Sequence, residues 1–322
     1  MEYFHSMENN CIYIDYTDVF FNFLITRLFL IELFLFFLIK NKFSQFSMSK
    51  GEITTLNPIS PPKKIVVFDL DETLGYFTEL SIFWNALENY HGVNLFNEQF
   101  YEVVDIFSEF LRPNIIDILN FLKEKKTNKE CDQIMIYTNN QGPKTWVYMI
   151  SNYFNEKMGY KLFDKIIAAF KVNGKILEIN RTSHNKSVED LVRCTKINTD
   201  TEICFIDDQY HPLMVNENVY YINLNPYVFT IPFAEMADRY YDLNKTNLKN
   251  QINKTAFKQI IMDYMNRYNI RIKEKSVDEI NAEKVLSKQI IIQLDVFFKK
   301  KKPHSTTKRK RNIKYNLTRK KI

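Results

Sequence analysis

The sequence predicts an α/β fold, a doubly wound parallel sheet with a small insertion and a helical C-terminal extension. Three observations predict it. Short apolar runs rich in β-branched and aromatic residues alternate with helical patterns between residues 64 and 226. Each run is apolar almost throughout rather than at every second residue, as strands covered on both faces are. Carboxylates, a hydroxyl and a lysine follow several of these runs, on the side where an open parallel sheet forms its binding crevice.

The strands expected are Lys64–Phe68, Gln133–Tyr137, 166–170, 202–206 and Val219–Asn223. Between the first two, residues 75–110 form an insertion whose pattern suggests one or two short helices, and Leu111-Arg112-Pro113 leads into an amphipathic helix. After the second strand, Trp146, Met149, Ile150 and Tyr153 recur at helical spacing behind Gly142-Pro143. Pro143 suits the first turn of that helix, where free backbone N–H groups attract an anion. Ser187 with Asp190 fits a capping box that starts another helix. Residues 227–298 read as a mostly polar helical extension, and no internal repeat is present.

The chain of 322 residues has room for one large domain with appendages, or for two modest domains. A hydrophobic fraction of 45% supports a buried core and excludes global disorder. Cys11, Cys131, Cys194 and Cys204 form no CxxC pair, which argues against a disulfide framework or a zinc site and for a reducing compartment. Of the 44 Lys and Arg, 12 fall between Lys299 and Ile322, where no Asp or Glu occurs; the rest of the chain holds 32 against 38 acidic residues. The protein is therefore an acidic body with a basic, low-complexity tail at 299–322. Such a tail can contact nucleic acid, address the nucleus or lie on an anionic membrane, or be solvated charge alone.

Residues 1–47 form an N-terminal segment whose stretch 19–39 is almost wholly apolar, interrupted by Asn22, Arg27 and Glu32. Its 21 residues match the hydrocarbon core of a bilayer when helical. Lys40, Lys42 and Lys50 follow it while Glu2, Glu8, Asp15 and Asp18 precede it, so a membrane anchor here would leave the rest facing the cytosol. A charge at mid-bilayer costs about 3 kcal/mol, and Arg27 and Glu32 each incur it. Two other readings therefore stand: an amphipathic packing helix, or a start at Met48 that leaves a soluble cytoplasmic or nuclear protein. The long acidic flank does not fit a cleavable signal peptide. Residues 48–63 are a polar linker ending in Pro61-Pro62.

The polar residues that follow the strands form an ordered set. Asp69-Leu70-Asp71-Glu72-Thr73-Leu74 follows the first strand, Thr138-Asn139 the second, Lys186 lies between the third and fourth, and Asp207-Asp208 ends the fourth. In this order they resemble the four motifs of the haloacid-dehalogenase-like (HAD) phosphatases, whose first is DxDxT. The wording is closest to the branch that dephosphorylates the C-terminal tail of RNA polymerase II and to the related NLI-interacting-factor-like proteins. Leu111-Arg112-Pro113 is similar to that branch's RPG stretch. The resemblance covers about residues 64–212. It implies a Rossmann-like HAD fold for 64–226, in which the insertion 75–110 forms a small cap over the site. Asp208 is a departure, since the polymerase-tail branch usually has Asn there.

The resemblance assigns roles that phosphoryl-transfer chemistry explains. Asp69 is the nucleophile, which divides a difficult hydrolysis into two easier steps through an aspartyl-phosphate. Asp71 protonates the leaving alcohol and then activates water. Lys186 and the Thr138 hydroxyl meet the charge that gathers on the phosphoryl oxygens. Thr73 fixes the turn that presents the two carboxylates, and Asn139 joins it in positioning phosphate. Mg²⁺ is the implied cofactor, held by the Asp69 carboxylate, the Asp71 main-chain carbonyl and the Asp207 carboxylate, with Asp208 behind them. His184, His211, Trp84, Phe100 and Tyr101 lie close to these motifs in sequence and read more simply as surface or packing residues. The activity expected is Mg²⁺-dependent hydrolysis of a phosphomonoester, on a phosphoprotein ahead of a small metabolite. A nucleic-acid end phosphatase and a non-catalytic binding or tethering module are the alternatives.

Overall fold

A parallel sheet with helices on both faces must carry apolar residues on both sides of every central strand, and this chain does so. In the computed structural model, which describes residues 11–13, 63–246, 248, 252–273 and 275–300, the strands are β1 (Cys11–Tyr13), β2 (Lys64–Phe68), β3 (Gln133–Tyr137), β4 (Lys165–Ile167), β7 (Glu202–Asp207) and β8 (Val219–Asn223). β7 and β8 are buried at every residue, and β2 and β3 at all but the first. All pairings are parallel, in the order β1-β8-β7-β2-β3-β4. From β2 the chain builds outward to β3 and β4, then returns to the other side of β2 with β7 and β8. The order thus reverses between β2 and β7, where open sheets place their ligand crevice.

Strand 166–170 is shorter than its apolar run suggests. β4 pairs with β3 over three residues only, after which the chain turns away and the Ala168 carbonyl accepts from Arg181. The run then enters a two-residue hairpin, β5 (Lys171–Val172) and β6 (Lys175–Ile176), turned at Asn173-Gly174 with φ of 49° and 78°. An Asn-Gly pair allows that mirror-image turn. β1 lies in a stretch that reads only as polar and acidic, and three residues are too few to carry a strand signal.

The helices are unevenly shared between the faces. One face packs Ile65, Val67, Met135, Tyr137, Phe205 and Tyr221 beneath Leu191 and Cys194 of α5 (Val188–Thr195). The opposite face carries α1 (Thr78–His91), α2 (Asn97–Ile106), α3 (Ile115–Thr127) and α4 (Lys144–Met158). It also carries the extension's α6 (Phe233–Asn244), α7 (Lys254–Met265) and α8 (Val277–Lys299). The insertion 75–110 supplies α1 and α2, which share the core of that face. Trp84 meets Phe100 edge-on at 5.4 Å and Phe100 meets Trp146 at 5.2 Å, binding both insertion helices to α4. Among the described residues no helix is long and apolar enough to cross a membrane. The stretch 19–39, the start at Met48 and the tail beyond Lys300 lie outside the described residues.

Candidate active site

Asp69 leaves the end of β2 with its amide donating to Ile206 O at 2.9 Å, so the strand ladder itself fixes where its side chain begins. Asp207 stands at the corresponding end of the neighbouring β7. Lys186 reaches the crevice from the loop before α5, and its ammonium bridges Asp69 Oδ1 and Asp207 Oδ2, the latter at 2.6 Å. One oxygen of Asp69 is thus engaged by the ammonium. The loop carrying Lys186 is itself anchored. Ser187 caps α5 by accepting from the Asp190 amide at 3.1 Å. The capping box is only half made, because the buried Asp190 carboxylate turns to Thr182 N and Oγ1 instead.

The turn after Asp69 is shaped by close packing. Glu72 has φ of 60°, and Gly75 leaves no room for a side chain, since a Cβ there would lie 2.6 Å from Phe110 O. Thr73 Oγ1 donates to Asp208 Oδ1 at 3.0 Å and accepts from the Asp208 amide at 3.1 Å. This pair ties the β2 turn to the end of β7. The Asp71 carboxylate accepts from Asn140 Nδ2 at 2.7 Å. Thr138 Oγ1 accepts from the Asn140 amide at 3.0 Å, which leaves its own hydrogen free to donate. Asn139 Oδ1 accepts from Arg181 at 2.7 Å.

Three groups to which the motifs assigned no role at the site support this set. Arg112 is buried and donates to the carbonyls of Glu72 and Thr73, both at 2.6 Å. Arg181, also buried, donates to Thr138 O at 2.9 Å and Ala168 O at 2.8 Å. Asn140 carries Asp71 on its amide nitrogen while its Oδ1 accepts from Gly142 N at 2.8 Å. The amides of Asn140 and Gly142 are therefore taken, and Pro143 stands just ahead of α4 rather than within its first turn. The backbone N–H groups expected to face an anion there are fewer than the sequence suggests. His211 Nε2 lies 3.3 Å from Asp207 Oδ2, and His184 packs edge-on against Phe170 at 5.7 Å.

The electrostatics follow from burial. Burial holds Asp69 well above the ordinary carboxylate range, with Lys186 opposing and Asp207 and Asp71 reinforcing. Burial likewise raises Asp71, against the Asn140 hydrogen bond and Lys186, and it raises Asp208, helped by Asp207. At Asp207 burial is outweighed by Lys186 and His211, so its carboxyl is lowered. Lys186 is raised, because Asp69 and Asp207 overcome the cost of burying its charge.

Carboxylate oxygens of Asp69, Asp207 and Asp208 lie within 4.8 Å of one another. Hard oxygen donors around a single ammonium fit a hard divalent cation such as Mg²⁺, which would supply the positive charge this set lacks. Asp208 is one of the three, where the sequence placed it behind the ligands, and the Asp71 carboxylate is not.

Beside Asp71 opens a groove of about 840 Å³ between α1, the 92–96 loop with the first residue of α2, and the start of α4. Trp84 and Trp146 form part of its wall, and Asn85, Asn94, Asn97 and Asn152 edge it with side-chain amides. Its charged lining groups are Asp71 and Glu88, with no Lys or Arg. No known protein-family model matches the chain, and no curated protein matches it.

Proposed function

We propose that this protein is an Mg²⁺-dependent phosphomonoester hydrolase of the HAD type, working through an aspartyl-phosphate on Asp69. The observation that carries the reading is the meeting of Asp69, Lys186 and Asp207, from three separate segments, at the point where the strand order reverses. Asp69 attacks phosphorus with its free oxygen, and the ester oxygen departs. Asp71, raised by burial, is suited to hold the proton that the departing alkoxide takes. The carboxylate then receives a proton from water as that water attacks the acyl-phosphate, and phosphate leaves. Lys186 keeps one oxygen of Asp69 fixed and places positive charge beside the phosphoryl group. The Thr138 hydroxyl is oriented by the Asn140 amide to donate to a phosphoryl oxygen. Asp69, Asp207 and Asp208 would hold Mg²⁺, with the Asp71 carbonyl that the resemblance implies, and the ion would neutralise phosphate charge.

The groove favours a phosphoprotein substrate over a nucleic-acid end. A polyanion seeks lysine or arginine along its path, and none lines this groove. Side-chain amides suit peptide backbone instead. An idle binding module would not need both buried carboxylates held against one lysine. Hydrolysis of para-nitrophenyl phosphate by the full chain, with and without Mg²⁺, tests the reading. Turnover that needs Mg²⁺ and is lost in Asp69→Asn supports it; equal rates for the two proteins reject it.

A further inference from the structure

We infer that α8, the last described helix, is a positioning element of the active site, acting through Glu283 on Arg112 and through its C-terminus on Lys64. The helix clasps both ends of the segment that carries the nucleophile. At the start of β2, Lys64 Nζ donates to the carbonyls of Phe297, Phe298 and Lys300 at 2.8, 2.9 and 2.8 Å. These are the carbonyls a helix leaves unpaired at its C-terminus, where a cation is favoured. Beyond the other end of β2, Arg112 lies 3.7 Å from Glu283 Oε2, and Lys275 meets Glu283 Oε1 at 3.1 Å. Helix geometry places about 21 Å between Glu283 and Phe297, enough to span β2 and the turn that follows it.

The pair acts on backbone that needs holding. Glu72 adopts a φ of 60°, which residues with a side chain rarely take. Its carbonyl accepts from Arg112 at 2.6 Å and from the Tyr227 amide at 2.8 Å. Arg112 also donates to Thr73 O at 2.6 Å and Asn225 O at 2.8 Å, so one planar guanidinium sets the turn between Asp71 and Thr73. Arg112 and Glu283 are each only 2% exposed. The cost of drying such a pair roughly cancels its attraction, so it contributes little to stability. What it supplies is orientation: Glu283 fixes the guanidinium, and the guanidinium fixes the turn. Arg112 and Glu283 are positioning residues, since neither reaches the reacting atoms.

The kinetic consequence rests on the hydrolase reading; the order of the turn does not. The test compares full-length wild type, Glu283→Gln, Arg112→Lys and the double variant. Each is followed by para-nitrophenyl phosphate kinetics with Mg²⁺ and by amide exchange at Glu72 and Leu74, which bond to Gly75 O and Leu70 O. Glu283→Gln is expected to lower kcat about tenfold with KM within about twofold, and to speed exchange at both amides. In the Arg112→Lys background the same change has little further effect. Unchanged exchange in Glu283→Gln overturns the inference, whatever the rate, and so does unchanged kcat in an active enzyme. If the wild type hydrolyses no phosphomonoester, the hydrolase reading fails and exchange alone decides the positioning role.

Discussion

Asn140 donates from Nδ2 to Asp71 Oδ2 at 2.7 Å while its own Oδ1 accepts from Gly142 N at 2.8 Å. The carboxylate proposed to exchange protons is therefore aimed by a loop on the neighbouring strand. Asn140→Ala is expected to lower kcat by about tenfold to a hundredfold, with a smaller change in KM. Steady-state kinetics on para-nitrophenyl phosphate check it, and a wild-type kcat would show that Asp71 needs no such aim.

Lys186 is buried between Asp69 and Asp207, and its loss leaves two carboxylates facing each other without their cation. Lys186→Met is expected to abolish turnover and to cost about 3 kcal/mol of stability without metal. Denaturant unfolding measures this, and an unchanged midpoint would contradict the assigned electrostatics.

The three-carboxylate cluster should bind Mg²⁺ in the folded state only. At a hundred times its dissociation constant the ion is expected to add about 2.7 kcal/mol of stability. Asp207→Asn should remove most of that gain, as read by thermal unfolding with and without Mg²⁺.

Glu79 of α1 lies in the core, where its Oε1 accepts from the Ile231 amide at 3.3 Å and burial pushes its carboxyl up to about 8. Its folded-state pKa lies above its unfolded one, so its contribution is complete below the ordinary carboxylate range. That contribution is lost as pH rises from there through about 8. Glu79→Gln keeps an acceptor for Ile231 and cannot titrate. Its stability is expected to stay flat across that window and to exceed that of the wild type above it, in unfolding curves taken at successive pH values.

Much of this was legible in the sequence. β2, β3 and β8 match their apolar runs residue for residue, because buried parallel strands announce themselves without needing partners. Asp69 and Asp207 were locatable for the same reason, as the polar residues that end the runs of β2 and β7. Arg181 was not, and Arg112 stood only in a stretch similar to a family motif with no role assigned, since their work is to bond carbonyls 43 and 40 residues away in the chain. Asn140 left a usable signal: it sits two residues past Thr138 in an Asn-Asn-Gln-Gly loop, where such side chains bond local backbone. The Asn173-Gly174 hairpin was equally readable and masked by the apolar run before it.

The groove beside Asp71 predicts substrate preference. A phosphoserine peptide with uncharged neighbours should exceed a 5′-phosphorylated oligonucleotide in kcat/KM by at least about tenfold. The reverse order would move the assignment to a nucleic-acid end phosphatase.

The central claim is that phosphate passes through the side chain of Asp69. Borohydride converts an acyl-phosphate of aspartate to homoserine, which peptide mass spectrometry locates. Quenching the full chain during turnover into borohydride is predicted to yield homoserine at position 69, only with substrate present and never in Asp69→Asn. Turnover with aspartate intact at 69, or homoserine at another position, would contradict the account.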